Sequence, residues 1–144
     1  MAPSVQAEEK LEPPLLGLIT GQRVNLRAGP GASYEVLHQF PHREKVQILA
    51  IQGDWYAVPL PDSVPAFVFK EYLQIESDPW ASVRVEKLHV RAGPSLGSAS
   101  LGFLRQGERV RLWTPQGEWQ AIQAPGFCRG WVHRSYVTLL ENDN

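Results

Sequence analysis

From Ile19 onward the chain is written in short runs in which apolar and polar residues alternate, and each run ends at Gly, Pro, Asn, Asp or Ser. Alternation with period two places successive side chains on opposite faces of an extended strand. The runs near Arg23 to Ala28, Val36 to Phe40, Lys45 to Ile51, Trp55 to Pro59, Ala66 to Phe69 and Leu73 to Ile75 are therefore predicted strands. Gly29-Pro30-Gly31, Gly53-Asp54 and Pro61-Asp62 supply the turns between them. No segment is long and periodic enough for a core helix, so the expected fold class is all-β. Five or six short strands in about 55 residues suit a small barrel better than a sandwich.

The same pattern returns 64 residues later. Val24-Asn25-Leu26-Arg27-Ala28-Gly29-Pro30 becomes Leu88-His89-Val90-Arg91-Ala92-Gly93-Pro94, Glu44 meets Glu108, Trp55 meets Trp119 and Tyr72 meets Tyr136. Roughly 14 of 48 aligned positions are identical, which marks two copies of one structural unit. The expected organisation is a flexible N-terminal arm over residues 1–16, a first barrel over 17–75, a linker over 76–82 and a second barrel over 83–140. The arm is assigned to Pro3, Pro13 and Pro14 mixed with Glu8, Glu9, Lys10 and Glu12, which leave no face to bury. Trp80, in the linker, is expected to pack on one of the barrels. Arg43 stands where the second copy has Gly107, so that turn is expected to differ between copies.

Composition narrows the function classes. The hydrophobic fraction of 43% is that of a soluble globular chain, and no apolar run approaches the ~20 residues of a membrane span. The first residues have neither a basic start nor an apolar stretch, so no intact signal peptide is expected. The single cysteine, Cys128, excludes an intrachain disulfide. Residues 83–138 carry eight Lys/Arg against three Asp/Glu, whereas residues 17–75 balance to zero.

These residues resemble the bacterial SH3 (SH3b) family. The first copy carries Val24-Asn25-Leu26-Arg27-Ala28-Gly29-Pro30-Gly31 with Tyr34 shortly after, then Glu44-Lys45-Val46, Gly53-Asp54-Trp55-Tyr56 and Tyr72-Leu73. The second closes with Gly130-Trp131-Val132 and Ser135-Tyr136-Val137. The first copy departs from this closing pattern with Ala66-Phe67-Val68, and the second has Ser98 in place of Tyr34. The resemblance implies two tandem small SH3-like barrels joined by a short linker. It further implies noncatalytic modules at the bacterial envelope, often found beside peptidoglycan-cleaving enzymes, some of which bind wall peptides.

Catalytic and metal chemistry find little in the residues. Cys128 falls in a turn after Pro125-Gly126-Phe127 with no His and orienting group recurring around it, and is read as an inert small residue. His38, His42, His89 and His133 are scattered, and His38 with His42 would align only on a helix, so no metal or other cofactor is expected. No Gly-rich phosphate loop precedes a helix. The chain is therefore not expected to be an enzyme.

Binding chemistry is better represented. Arg27 and Arg91 alternate with apolar neighbours and face away from them, where they would either take a ligand carboxylate or clamp a loop carbonyl. Strand parity leaves Trp55 and Trp119 either outward or packed at the rim, and the outward choice would bury Gln120, which is costly unless it is bonded. In the first copy Tyr34, Trp55 and Tyr72 form the candidate aromatic cluster. In the second, Arg109, Arg111 and Trp113 share one strand face, suited to an anionic partner or simply solvated. Trp119 and Trp131 complete the candidate ligand-binding set.

The expected function is a noncatalytic envelope module that recognises peptidoglycan-type peptides or wall fragments, in the periplasm or outside the cell. The alternative is a scaffold subunit docking on an envelope protein. The expected partners are thus a wall peptide or an envelope protein, with no nucleic acid.

Overall fold

The computed structural model describes residues 7–140. Fourteen strands follow one another: β1 (Glu9–Ile19), β2 (Val24–Arg27), β3 (Val36–Phe40), β4 (Lys45–Gln52), β5 (Trp55–Pro59), β6 (Pro65–Phe69), β7 (Leu73–Ile75), β8 (Trp80–Val83), β9 (Lys87–Arg91), β10 (Ser100–Arg105), β11 (Arg109–Gln116), β12 (Trp119–Gln123), β13 (Arg129–His133) and β14 (Val137–Leu139). A 3-10 turn precedes β7 (Lys70–Tyr72) and another precedes β14 (Arg134–Tyr136). The all-β reading holds, and three of the six strands predicted in the first copy have the observed bounds.

The strands form two seven-stranded sheets, ordered β14-β1-β4-β5-β13-β2-β3 and β10-β9-β6-β12-β11-β8-β7. These sheets do not coincide with the sequence repeats. The first compact unit runs to Pro59 and resumes at Arg129, and the second is the continuous stretch Leu60–Cys128. The chain leaves the first unit after Pro59 and returns at Arg129, and these two residues are register partners on β5 and β13. The second unit is thus an insertion between β5 and β13. It begins with the closing strands β6 and β7 and continues through β8 to β12, a circular permutation of the strand order in the first unit.

The boundaries expected from the repeat, 17–75 and 83–140, are accordingly out of phase with the folded units. β13, from the second repeat, pairs with β5 and β2 of the first, while β6, from the first repeat, pairs with β12 and β9 of the second. A repeat period reports the length of the structural unit but not where along that period the fold is cut, and here it is cut between the fifth strand and the closing strand.

Two further expectations are corrected. Residues 1–6 of the expected arm lie outside the described residues, but Glu9–Ile19 is a strand that pairs with β4 and, at its end, with β14. Backbone hydrogen bonding along β4 outweighs the poor amphipathic pattern, and the ladder shifts register between Lys10 and Leu15, where Pro13 and Pro14 cannot donate. The expected linker is an internal turn of the second unit: Trp80 N donates to Ser77 O at 2.8 Å, and Trp80–Val83 is a strand between β7 and β11.

Each unit has its own core. In the second, Ala66, Val68, Leu73, Ala81, Val83, Leu88, Val90, Leu104, Val110, Ile122 and Cys128 form one buried cluster. In the first, Ile19, Leu26, Ile48, Val58 and Val132 are fully buried. Each such side chain contributes about 1.5–3 kcal/mol by leaving water. Val132 and the buried Trp131 come from the returning strand, so the first core is complete only after the chain has traversed the second unit.

Candidate functional site

Among the described residues, a groove in the first unit and a groove in the second are built to the same plan. In the first unit, Arg23, Asn25 and Arg27 lie on or just before β2, Trp55 opens β5, and His133 and Tyr136 come from β13 and the 3-10 turn after it; with Gln22, Val24 and Ala32 they line about 280 Å³. In the second, Lys87, His89 and Arg91 lie on β9, Trp119 opens β12, and Phe69 and Tyr72 come from β6 and its 3-10 turn; with Leu88 and Leu96 they line about 310 Å³. Shifted by 64, the common members correspond one to one. Each groove therefore draws on both sequence repeats.

The aromatic walls are built of edge-to-face pairs, with one tilted pair, Phe69 and Tyr72 at 46°. The Trp55 and His133 rings are 5.2 Å apart at 87°, and His133 and Tyr136 are 6.2 Å apart at 63°. In the second groove, Phe69 stands 5.5 Å from Trp119 at 85° and 5.3 Å from Tyr72. Edge-to-face packing holds the rings in place while leaving the tyrosines half open, Tyr72 at 41% and Tyr136 at 49%. Two basic side chains line each groove and no carboxylate does.

Several readings are now decided by geometry. Arg27 Nη1 donates to Tyr34 O at 2.9 Å and Arg91 Nη1 to Ser98 O at 3.1 Å, so both arginines clamp a loop carbonyl while lining a groove. Trp119 is half-buried at the groove and Gln120 is buried, and Gln120 is satisfied: its Nε2 donates to Ala121 O at 2.9 Å and Trp113 O at 3.2 Å. The desolvation cost that parity raised is met by two backbone carbonyls. The turn at Arg43 does not differ from its counterpart. Arg43 has φ 74° and Gly107 φ 88°, and their N–H groups donate to Ile19 O and Val83 O at 2.8 Å in both cases.

The expected cluster of Tyr34, Trp55 and Tyr72 is not brought together. Tyr72 belongs to the second unit, beside Phe69, and the partner of Trp55 in its place is Tyr136. Tyr34 is exposed and lies over Gly29, where an added Cβ would meet its ring at 2.4 Å, and it does not line the groove. Trp131 is 5% exposed, packed with Ala50 and Ala57 and covered by the Arg129 guanidinium at 4.9 Å from its ring, so it is a core residue rather than a binding surface. Sequence reasoning passed over His133, Tyr136 and Phe69. The match of Tyr72 to Tyr136 was the available signal, but it points to the correct groove only once the out-of-phase closure is known.

Arg109, Arg111 and Trp113 do lie on β11, and Trp113 is 37% exposed. Arg109 and Arg111 flank Trp80, at 4.8 and 5.7 Å from its ring, and Arg109 is paired with Glu76 at 3.4 Å. The positive balance of the second repeat is also divided by the fold. Leu60–Cys128 carries seven Lys/Arg and seven Asp/Glu, because Arg129 and Arg134 belong to the first unit.

Cys128 lies in the core of the second unit, and burial pushes its thiol up to about 12. A thiol so held is not ionised at neutral pH and is a poor nucleophile. Among the described residues no group of three or more His, Cys, Asp or Glu is placed to hold a metal ion. No helix among them is long and apolar enough to cross a membrane.

Comparison with known proteins gives two matches to the bacterial SH3 domain model, at residues 22–74 and 86–138, which together span most of the chain. The chain is 26% identical over 134 residues to a putative N-acetylmuramoyl-L-alanine amidase, YrvJ, of Bacillus subtilis (strain 168), covering 82% of this chain and 26% of that protein. It is 38% identical over 56 residues to the bacteriocin BCN5 of Clostridium perfringens, covering 39% of this chain and 6% of that protein. The chain thus spans about a quarter or less of the relatives it matches.

Proposed function

This chain belongs to the bacterial SH3 domain family, and from that premise we propose that it is a noncatalytic binding module of the bacterial envelope whose grooves take peptidoglycan-type peptides or wall fragments. Bacterial SH3 domains are cell-wall binding modules, generally without catalysis. The observation that carries the finer reading is the shared groove plan: an aromatic wall beside two basic side chains, with no carboxylate in the lining. Such a surface stacks on the apolar body of a peptide and takes its carboxylates by charge-assisted hydrogen bonds. The similarity to a putative amidase named for a muramoyl-alanine bond is consistent with a wall ligand and with a place outside the cytoplasm. Arg111, with Trp80 beside it, and Trp113 are proposed as an auxiliary contact for an anionic wall polymer.

Titration of the labelled chain with purified muropeptides tests this reading. The indole N–H signals of Trp55 and Trp119, one in each groove, are expected to shift, together with the amides of His133, Tyr136, Phe69 and Tyr72. Failure of all of these to respond, with co-purification of a protein partner in its place, would turn the assignment to a scaffold role.

A further inference from the structure

The two grooves share a plan but differ at the positions that would touch a ligand side chain. Where the second groove has Leu96 at its lip and Phe69 in its wall, the first has Ala32 and His133. Leu96 is 78% exposed, the most exposed of the large hydrophobic residues among the described residues. An isobutyl group left in water at the rim of an aromatic groove, beside Lys87 and Arg91, gains by being covered. In the first groove the corresponding wall is polar. His133 Nδ1 is engaged by Ser135, with Oγ at 2.7 Å and N at 3.2 Å. Asn25, on the same wall, accepts from Gln39 at 2.9 Å.

We infer that the grooves select different ligands: the second takes a carboxylate-bearing peptide with a branched apolar side chain packed between Leu96 and Phe69, and the first takes a carboxylate-bearing peptide with a small or polar one. This rests on the binding reading proposed above and adds selectivity to it. The lining cations suit the carboxylate in both, and the apolar contact distinguishes them. The selecting wall residue of each groove comes from the other repeat. Phe69, in the first repeat, sets the preference of the groove built on Trp119, and His133, in the second, sets that of the groove built on Trp55.

The test uses the whole chain with its two indole reporters and two probes, acetyl-Ala-Leu and acetyl-Ala-Ser, each with a free carboxylate. The leucine peptide is expected to bind at the Trp119 groove about tenfold more tightly than at the Trp55 groove, the range for one branched side chain in an apolar pocket. The serine peptide is expected to show no preference for the Trp119 groove. Leu96→Ala, at an exposed position, should remove most of the leucine preference, and Ala32→Leu with His133→Phe should confer it on the Trp55 groove. C-terminal amides of both probes should bind more weakly to both grooves. Equal response of the two indoles to the leucine peptide in the unaltered chain overturns the selectivity and leaves the binding reading standing. No response to either probe, or to muropeptides, overturns both.

Discussion

Gly130 lies so close to Leu26 that a Cβ on residue 130 would stand 2.6 Å from Leu26 Cδ1 and Cγ. At the matching place in the second unit the closing strand carries Ala66 and the facing strand carries the smaller Val90, both in one core cluster. The pairs are complementary in size: the glycine closes on leucine, the alanine on valine. Gly130→Ala is therefore expected to cost about 1–3 kcal/mol by overpacking. Leu26→Val alone should cost about 1 kcal/mol. The double variant should be more stable than the sum of the two predicts, as read by a double-mutant cycle in urea; simple additivity would show that the two side chains do not meet.

The nested order of the units makes a prediction about fragments. Residues 60–128 contain all seven strands of the second sheet and should fold alone, with a dispersed amide spectrum. Residues 17–75 lack β13 and β14, and their own closing strands have no sheet to complete, so they should be unfolded or self-associated. A folded, monomeric 17–75 fragment would mean that a repeat can close on itself.

Arg43 holds a left-handed backbone conformation that glycine adopts at its counterpart, and for an L residue this costs about 1–2 kcal/mol. Arg43→Gly should raise stability by up to about 1 kcal/mol once the added chain entropy of glycine is subtracted. Gly107→Ala should lower it by a similar amount. Thermal melts of both variants check the sign.

Glu8 is paired with Arg129, with Oε2 accepting from Nη1 at 2.9 Å, and this holds the Glu8 carboxyl below its usual 4.5. A depressed carboxylate contributes its stability above the unfolded value and loses it as pH falls through the folded one. The pair is partly exposed, so Glu8→Gln should cost no more than about 1 kcal/mol at pH 7 and nothing well below pH 4. A penalty that did not change with pH would point to packing instead of charge.

Cys128 behaves in the opposite direction. Its thiol is raised from 9.0 to about 12, so the folded state keeps a proton that the unfolded chain releases, and stability should fall as pH rises above about 9. Cys128→Val, matching Val64 in the other copy, should remove that alkaline loss. Alkylation of the native thiol at pH 8 should be slow and track unfolding.

Strand positions, the turns and the family were legible because they depend on local alternation and on Gly and Pro placement, which the residues near Val36, Trp55 and Leu73 display directly. The closure was not, since it is decided by contacts such as Gly130 on Leu26 that lie 104 positions apart in sequence. The site inherited that error. Trp55 and Trp119 could be picked out as aromatics at strand starts, but Tyr72 could be placed with the correct tryptophan only by knowing which sheet its strand completes. Trp131 stood among the ligand-binding candidates as the aromatic of Gly130-Trp131-Val132, but all three of these residues are buried on β13, so both faces of that strand are covered.

The pairing of β1 with β14 has a mechanical consequence. Gly17 is opposite Leu139 and Ile19 opposite Val137, so Gly17 and Leu139 stand side by side at one edge of a single sheet. Tension applied through them peels this short ladder apart one bond at a time, and the load path runs through the first unit alone. The inserted unit, hung from the neighbouring residues Pro59 and Arg129, bears no force until the outer one has yielded. Stretched between Gly17 and Leu139, the chain should thus give way in a fixed sequence, outer unit first, where two barrels strung in line would be loaded together.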